Sequence, residues 1–169
     1  MNQKQEYTTV GEYFRSSKIL FGAFTFGVFN FGVVLAVLHF LDYLPLKNSL
    51  PGNERMIEFG IIILSIIIIS VGESFTKKIF KSTNTESTLK LKLGIYRKGV
   101  LIKFVFIELA LLLAMVFFLF SPSVIYAILI AIGFIQMIRN FPSRSNLEAV
   151  MELSYSDQQK LNDPDFKLN

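Results

Sequence analysis

The chain has 169 residues, of which 52% are hydrophobic and 18% are charged, with a net charge of +4 and a mean hydropathy of +0.50. Its 18 phenylalanines and the isoleucine-rich residues 61–71 exceed what the core of a soluble domain of this length can bury, so the composition favours a membrane protein. The absence of cysteine excludes disulfides, thiol catalysis and cysteine-ligated metals.

The first 18 residues are mostly polar and are predicted to form a cytoplasmic or interfacial segment without a cleavable signal sequence. The first apolar run would then serve as both targeting signal and anchor. Within residues 7–18, Val10, Tyr13 and Phe14 recur at helical spacing. This pattern fits a short interfacial helix leading into the first span, and an irregular segment is the alternative.

Four apolar runs are long enough to cross the bilayer, because a helix needs about 20 residues to span roughly 30 Å of hydrocarbon. They predict an all-α protein with one transmembrane four-helix bundle over residues 19–141. The predicted spans are residues 19–41, 57–76, 100–120 and 123–141.

Basic residues are concentrated in the connection between the second and third predicted spans. Positive charge close to span ends stays in the cytoplasm, so this distribution predicts an inner (plasma) membrane protein with both termini in the cytoplasm. The same residues are expected to contact anionic lipid headgroups, at about 1 kcal/mol each. Nucleic acid is not an expected partner, because no recognition motif accompanies the charge. The basic residues are Lys77, Lys78, Lys81, Lys90, Lys92, Arg97 and Lys98.

The end of this connection, LKLKLGIYRK at residues 89–98, has two interpretations. Its first residues alternate with period two, as in a strand or a segment lying on a surface. However, Leu89, Leu93 and Tyr96 also share one face of a helix. The periodicity alone does not decide between them.

The tail of residues 142–169 is predicted to be cytoplasmic and partly helical. Ser145 with Glu148, and Ser154 with Asp157, have the spacing of helix N-terminal caps. The second of these helices is predicted to end near Leu161. The tail either folds under the basic connection or binds a partner.

Polar side chains inside the spans are the candidate functional residues, because such groups are costly in hydrocarbon. Residue counting places Glu73 and Glu108 at a similar depth, where two carboxylates would share a proton or hold a cation. Alternatively, Glu73 pairs with Lys77 on its own helix, and a neutral Glu108 bonds to Asn30, Gln136 or another subunit. The candidates are Glu108, Glu73, Asn30, Gln136, Ser70 and Thr25.

Lines of small residues that end in an amide predict where helices approach closely. On the first span this line is Ala23, Gly27 and Asn30. On the fourth span it runs from Gly133 to Asn140. Both lines are interpreted as packing faces of the bundle.

No arrangement of nucleophile and base, phosphate-binding loop or metal-ligand spacing is visible, and the sequence contains one histidine. We therefore expect no catalytic residue, no metal site and no cofactor.

The segments FIELALLLAMVFFL at residues 106–119 and RNFPSRSNLEAVMEL at residues 139–153 resemble a group of small bacterial membrane proteins with four spans. Members of that group carry a glutamate near the start of the third span and have no agreed activity. The resemblance covers about residues 100–153. It implies that Glu108 is the shared polar feature.

Two functions are consistent with these features. The first is a non-enzymatic accessory, assembly or regulatory subunit that packs in the bilayer against other membrane subunits or against itself. The second is an oligomeric module that transports protons, cations or small solutes with Glu108 and Glu73.

Overall fold

The computed structural model describes residues 7–43, 54–82 and 87–168. These residues are almost entirely helical, and their only extended pairing is an isolated antiparallel bridge between Thr9 and Lys167. The helices are α1 (Val10–Phe40), α2 (Glu54–Phe80), α3 (Leu89–Phe120), α4 (Val124–Arg139), α5 (Arg144–Val150) and α6 (Tyr155–Asn162).

Three helices, α1, α2 and α3, are long and apolar enough to cross a membrane. Helix α4 has 16 residues, and the chain bends by 90° between α4 and α5. The described residues therefore contain three candidate spans, or four if the bent pair counts as one. The all-α prediction is confirmed, and the presence of helices that could span a membrane is supported.

The first and third spans are longer than predicted because each begins well before its apolar run. Thr9 caps α1, which is continuous from Val10, so residues 10–18 are its first turns and not a separate interfacial helix. Thr88 caps α3, and the alternating residues 89–98 are helical. At 32 residues, α3 is about 48 Å long, which exceeds the roughly 30 Å of hydrocarbon.

Helix α3 is central and contacts α1, α2 and α4. At the end where α1 begins, the Tyr13 hydroxyl donates a hydrogen bond of 2.8 Å to the Leu93 carbonyl. At the opposite end, the His39 and Phe118 rings lie 5.4 Å apart. Helices α1 and α3 are therefore parallel, and α2 and α4 run in the opposite direction.

The C-terminal tail folds back onto the end of the bundle where α1 begins. The first N–H groups of a helix have no intrahelical acceptor. Here the amides of Val10 and Gly11 donate to the carbonyls of Phe166 and Pro164, at 3.1 and 2.8 Å. We call the assembly of α5, α6, the C-terminal residues and the first turns of α1 and α3 the terminal layer.

One of the two predicted caps in the tail is correct. Ser154 accepts a hydrogen bond from the Asp157 amide, and α6 ends at Asn162 as expected. The prediction for Ser145 is wrong, because Ser143 is the cap of α5 and accepts from the Asn146 amide. The two serines are separated by one residue, and α5 begins at Arg144, directly after the first of them.

Candidate functional site

Glu73 pairs across the helix interface and not along its own helix. Its Oε1 lies 3.6 Å from Nζ of Lys103 on α3, and both side chains are partly exposed. The predicted pair with Lys77 is therefore replaced by one between α2 and α3. Sequence spacing identified the local partner, whereas the packing of two helices supplied a different one.

The two candidate carboxylates do not form a common site within the chain. Glu73 pairs with Lys103, and the residue before it, Gly72, packs against Phe106. Glu108 therefore lies further along α3 than the residues that face Glu73. Among the described residues no hydrogen bond joins the two carboxylates, so the predicted sharing of a proton is not observed.

Glu108 lies beside the contact between α1 and α3 and is partly exposed. Phe104, four residues earlier, packs on Phe21 with ring centroids 4.7 Å apart, so Glu108 is about 40° from the face that meets α1. Asn30 follows Phe21 by nine residues, which turns it about 180° away from α3. Within the ranges that the structure describes, Glu108 has no hydrogen bond or ion pair, to Gln136 or to any other residue.

Several polar candidates donate a hydrogen bond within their own helices. The Thr25 hydroxyl donates to the Phe21 carbonyl at 3.0 Å, and the Asn30 amide donates to the Phe26 carbonyl at 2.8 Å. Asn140 bonds in the same way to the Gln136 carbonyl at 2.7 Å. Such bonds to the preceding turn lower the cost of a polar group in hydrocarbon. They do not assemble these residues into a site.

A cavity of about 350 Å³ separates α2, α3 and α4 in the apolar part of the bundle. Its polar lining consists of Ser65, Ser70 and Gln136, and the rest is mostly isoleucine and leucine. Ser65 is 4% exposed, and its hydroxyl has no partner among the described residues. No titratable group lines the cavity, so its chemistry suits an apolar molecule and not an ion.

The predicted packing line of α1 lies on the outside of the bundle. Ala23, Gly27 and Asn30 are exposed, and no other part of the described chain comes within 4 Å of a Cβ placed at Gly27. The buried face of α1 instead carries larger apolar side chains, including Phe21. The line is therefore not a packing face within this chain. On α4, by contrast, Gly133 lies directly against the Leu111 side chain.

Lys92, predicted to contact lipid, is buried in the terminal layer. Its side chain is 1% exposed, and Nζ donates to Asp157 Oδ2 at 2.8 Å and to the Glu152 carbonyl at 3.2 Å. Burial acts to raise the pKa of Asp157, but the hydrogen bond and charge of Lys92, with the cap at Ser154, outweigh it, and the pKa is lowered. This corrects the prediction for Lys92, whose ammonium group does not face lipid.

The other predicted lipid contacts lie at or near the surface. Arg97 is half-buried, with its guanidinium 5.0 Å from the centre of the Tyr7 ring. The remaining five are exposed: Lys77, Lys78, Lys81, Lys90 and Lys98.

A signal for the Lys92 pair is present in the sequence, although the charge pattern alone did not reveal it. Lys92 lies on the helical face of Leu89, Leu93 and Tyr96, all of which are buried. A lysine inside an apolar stripe indicates either that its ammonium group reaches solvent or that the group has a buried partner. Its partner, Asp157, is 65 residues away, so only the fold identified it.

No protein-family model, curated protein or solved structure matches this chain. Among the described residues, no group of three His, Asp or Glu side chains is arranged to hold a metal ion.

Proposed function

We propose that this chain is a non-enzymatic membrane protein with four spans, both termini in the cytoplasm, and a role as an assembly or regulatory subunit of a larger complex in a bacterial inner membrane. The feature that carries the proposal is the outward-facing line of Ala23, Gly27 and Asn30 on α1.

The contacts of the tail support four crossings. Helix α4 begins near Phe117, whose ring centroid is 6.3 Å from that of Tyr126. After α4, Ser143 lies 3.5 Å from the Tyr96 hydroxyl, and the tail reaches the start of α1. With only three crossings, the tail would be on the other side of the membrane from the residues that it contacts. The exposed lysines near this end favour a cytoplasmic location.

This topology is directly testable because the chain contains no cysteine. Single cysteines at Tyr43 and Tyr155, which are 71% and 77% exposed, report on opposite ends of the bundle. In intact cells, a membrane-impermeant maleimide is expected to label the Tyr43→Cys variant and to label Tyr155→Cys only after lysis. Labelling of Tyr155→Cys in intact cells would contradict the proposed orientation.

The outer face of α1 has the features of a helix-docking surface. Glycine and alanine let a second backbone approach closely, and an amide supplies hydrogen bonds that lipid tails cannot accept. The most apolar stretches of α1 and α2 are each 17% buried, compared with 39% for α3, so both outer helices have free faces and only α1 carries the small-residue line on its free face. A transmembrane helix of a partner subunit would cover the line of Ala23, Gly27 and Asn30.

A matched pair of glycine substitutions tests the docking surface. Gly27 and Gly60 are both exposed, and the space around an added Cβ is open to 4 Å at each, so we expect a leucine side chain to extend outward from the bundle at either position. We expect Gly27→Leu to abolish co-purification of stoichiometric membrane partners in mild detergent, and Gly60→Leu to leave it intact. Equal amounts of co-purified partner from both variants would contradict a partner on α1.

A transport module is the second candidate, and it is favoured by Glu108, which has no polar partner among the described residues. Since Glu73 pairs with Lys103, such a module would use Glu108 alone, in an oligomer. Proton or cation flux into vesicles containing the purified protein, abolished by Glu108→Gln, would favour transport. Unchanged flux together with a lost partner complex would favour the subunit role.

A further inference from the structure

A basic groove lies beside the first turns of α1, where the chain passes from α4 into α5. We define it by Phe14, Arg15, Lys18 and Ile19 of α1 and by Arg144 of α5. Its volume is about 840 Å³. It lies apart from the predicted lipid-contacting residues, none of which lines it.

The groove carries three positive charges and no carboxylate. In the described part of the chain, Arg15, Lys18 and Arg144 make no ion pair, in contrast to the buried Lys92. The Arg144 guanidinium is instead 5.9 Å from the centre of the Phe14 ring. The neighbouring acid, Glu12, is engaged by the Thr8 amide at 3.0 Å. A multiply charged anion would therefore meet three cations that make no ion pair with the described residues.

The groove changes from cationic to apolar along α1. Lys18 is the last charged residue before the first apolar run, and Ile19, the next residue, is 66% exposed. If α1 crosses the bilayer, the cations are level with the headgroups and Ile19 is level with the start of the acyl chains. Arginine binds phosphate through parallel hydrogen bonds, and lysine adds a point charge.

We infer that this groove binds the phosphate of an anionic phospholipid, with its glycerol and acyl chains along Ile19. The lipid would bridge α1 to α5 and so join the bilayer to the terminal layer. The inference requires that α1 crosses the membrane, and it does not depend on the partner proposed above.

The test compares two triple variants with the same loss of charge. Arg15→Gln, Lys18→Gln and Arg144→Gln remove the groove cations, while Lys77→Gln, Lys78→Gln and Lys81→Gln remove exposed lysines elsewhere. Each protein, in phosphatidylcholine nanodiscs, is titrated with phosphatidylglycerol, and retained lipid is measured by native mass spectrometry. Both variants lose the general attraction of surface cations to anionic lipid, and the groove variant also loses the direct bonds to the phosphate. We therefore expect the groove variant to bind phosphatidylglycerol at least about tenfold more weakly than the lysine variant does.

A double variant and a competition with inorganic phosphate complete the test. The double variant Arg15→Gln, Lys18→Gln retains the Arg144–Phe14 contact, so weaker lipid binding by a protein with unchanged thermal stability would support the groove. Equal losses in both triple variants would overturn it in favour of diffuse charge attraction. Displacement of the lipid by millimolar inorganic phosphate would also overturn it, because the ligand would then be a free anion.

Discussion

The terminal layer and the membrane part of the bundle are held together by different kinds of contact, although α3 runs through both. In the terminal layer, α3 makes polar bonds to distant segments: Lys92 donates to Asp157, and the Leu93 carbonyl accepts from the Tyr13 hydroxyl. In the membrane part, the backbone at Gly72 packs against Phe106. Lipid offers helices no hydrophobic gain from association, so close packing takes over there. Buried polar bonds to distant segments are therefore concentrated at one end of α3, while close packing and the partly exposed Glu73–Lys103 pair hold the helix further along.

The largest effect is expected in the terminal layer, from Lys92→Ala. It leaves Asp157, which is 7% exposed, without its partner, and breaking a buried pair on one side costs about 3–5 kcal/mol. We expect a lower midpoint of thermal unfolding in detergent and rapid proteolysis of the tail. Lys98→Ala, at an exposed position on the same helix, is the control and should change neither.

If the cost arises from an unpaired charge, removing both partners should recover most of the stability. The double variant Lys92→Met, Asp157→Leu is therefore expected to unfold at a higher temperature than Lys92→Ala. A double variant as unstable as the single one would show that lost side-chain packing is responsible.

A smaller effect is expected in the membrane part, from Gly72→Ala. The added methyl group would lie 2.5 Å from Phe106 Cβ, which is fixed to the backbone and cannot move aside. Overpacking of this kind costs about 1–3 kcal/mol. Thermal unfolding in detergent should detect it, whereas Gly60→Ala on the same helix has open space and should be neutral. Equal stability of the two variants would contradict close packing of α2 on α3.

The smallest effect is expected from acid, and it should be confined to the terminal layer. The pKa of Asp157 is lowered in the folded state. Its contribution to the stability of the terminal layer is therefore complete above the ordinary aspartate pKa, and it is lost as the pH falls through the lowered value. The protection of the α6 amides against hydrogen exchange, relative to the intrinsic rate at each pH, should fall over that range. The variant Asp157→Asn should remove this pH dependence. An equal fall in protection in the membrane helices would contradict a local origin.

The helices were predictable because their signals are local. The apolar runs identified α1, α2 and α3, and Ser154 identified the start of α6. The first residue of α3 was not predictable, because residues 89–98 fit both a strand period and a helix period. In the structure these residues are helical, and Leu93 and Tyr96 make hydrogen bonds to Tyr13 and Ser143.

The amino-acid order alone was enough to establish that the protein is helical, that its helices are long and apolar enough for a membrane, and which residues are polar within them. What those residues contact depended on the tertiary fold. The fold paired Glu73 with Lys103, separated Glu73 from Glu108, and turned Gly27 outward. This division arises because periodicity fixes which residues share a face of a helix, whereas the packing of helices against α3 selects the face that is covered.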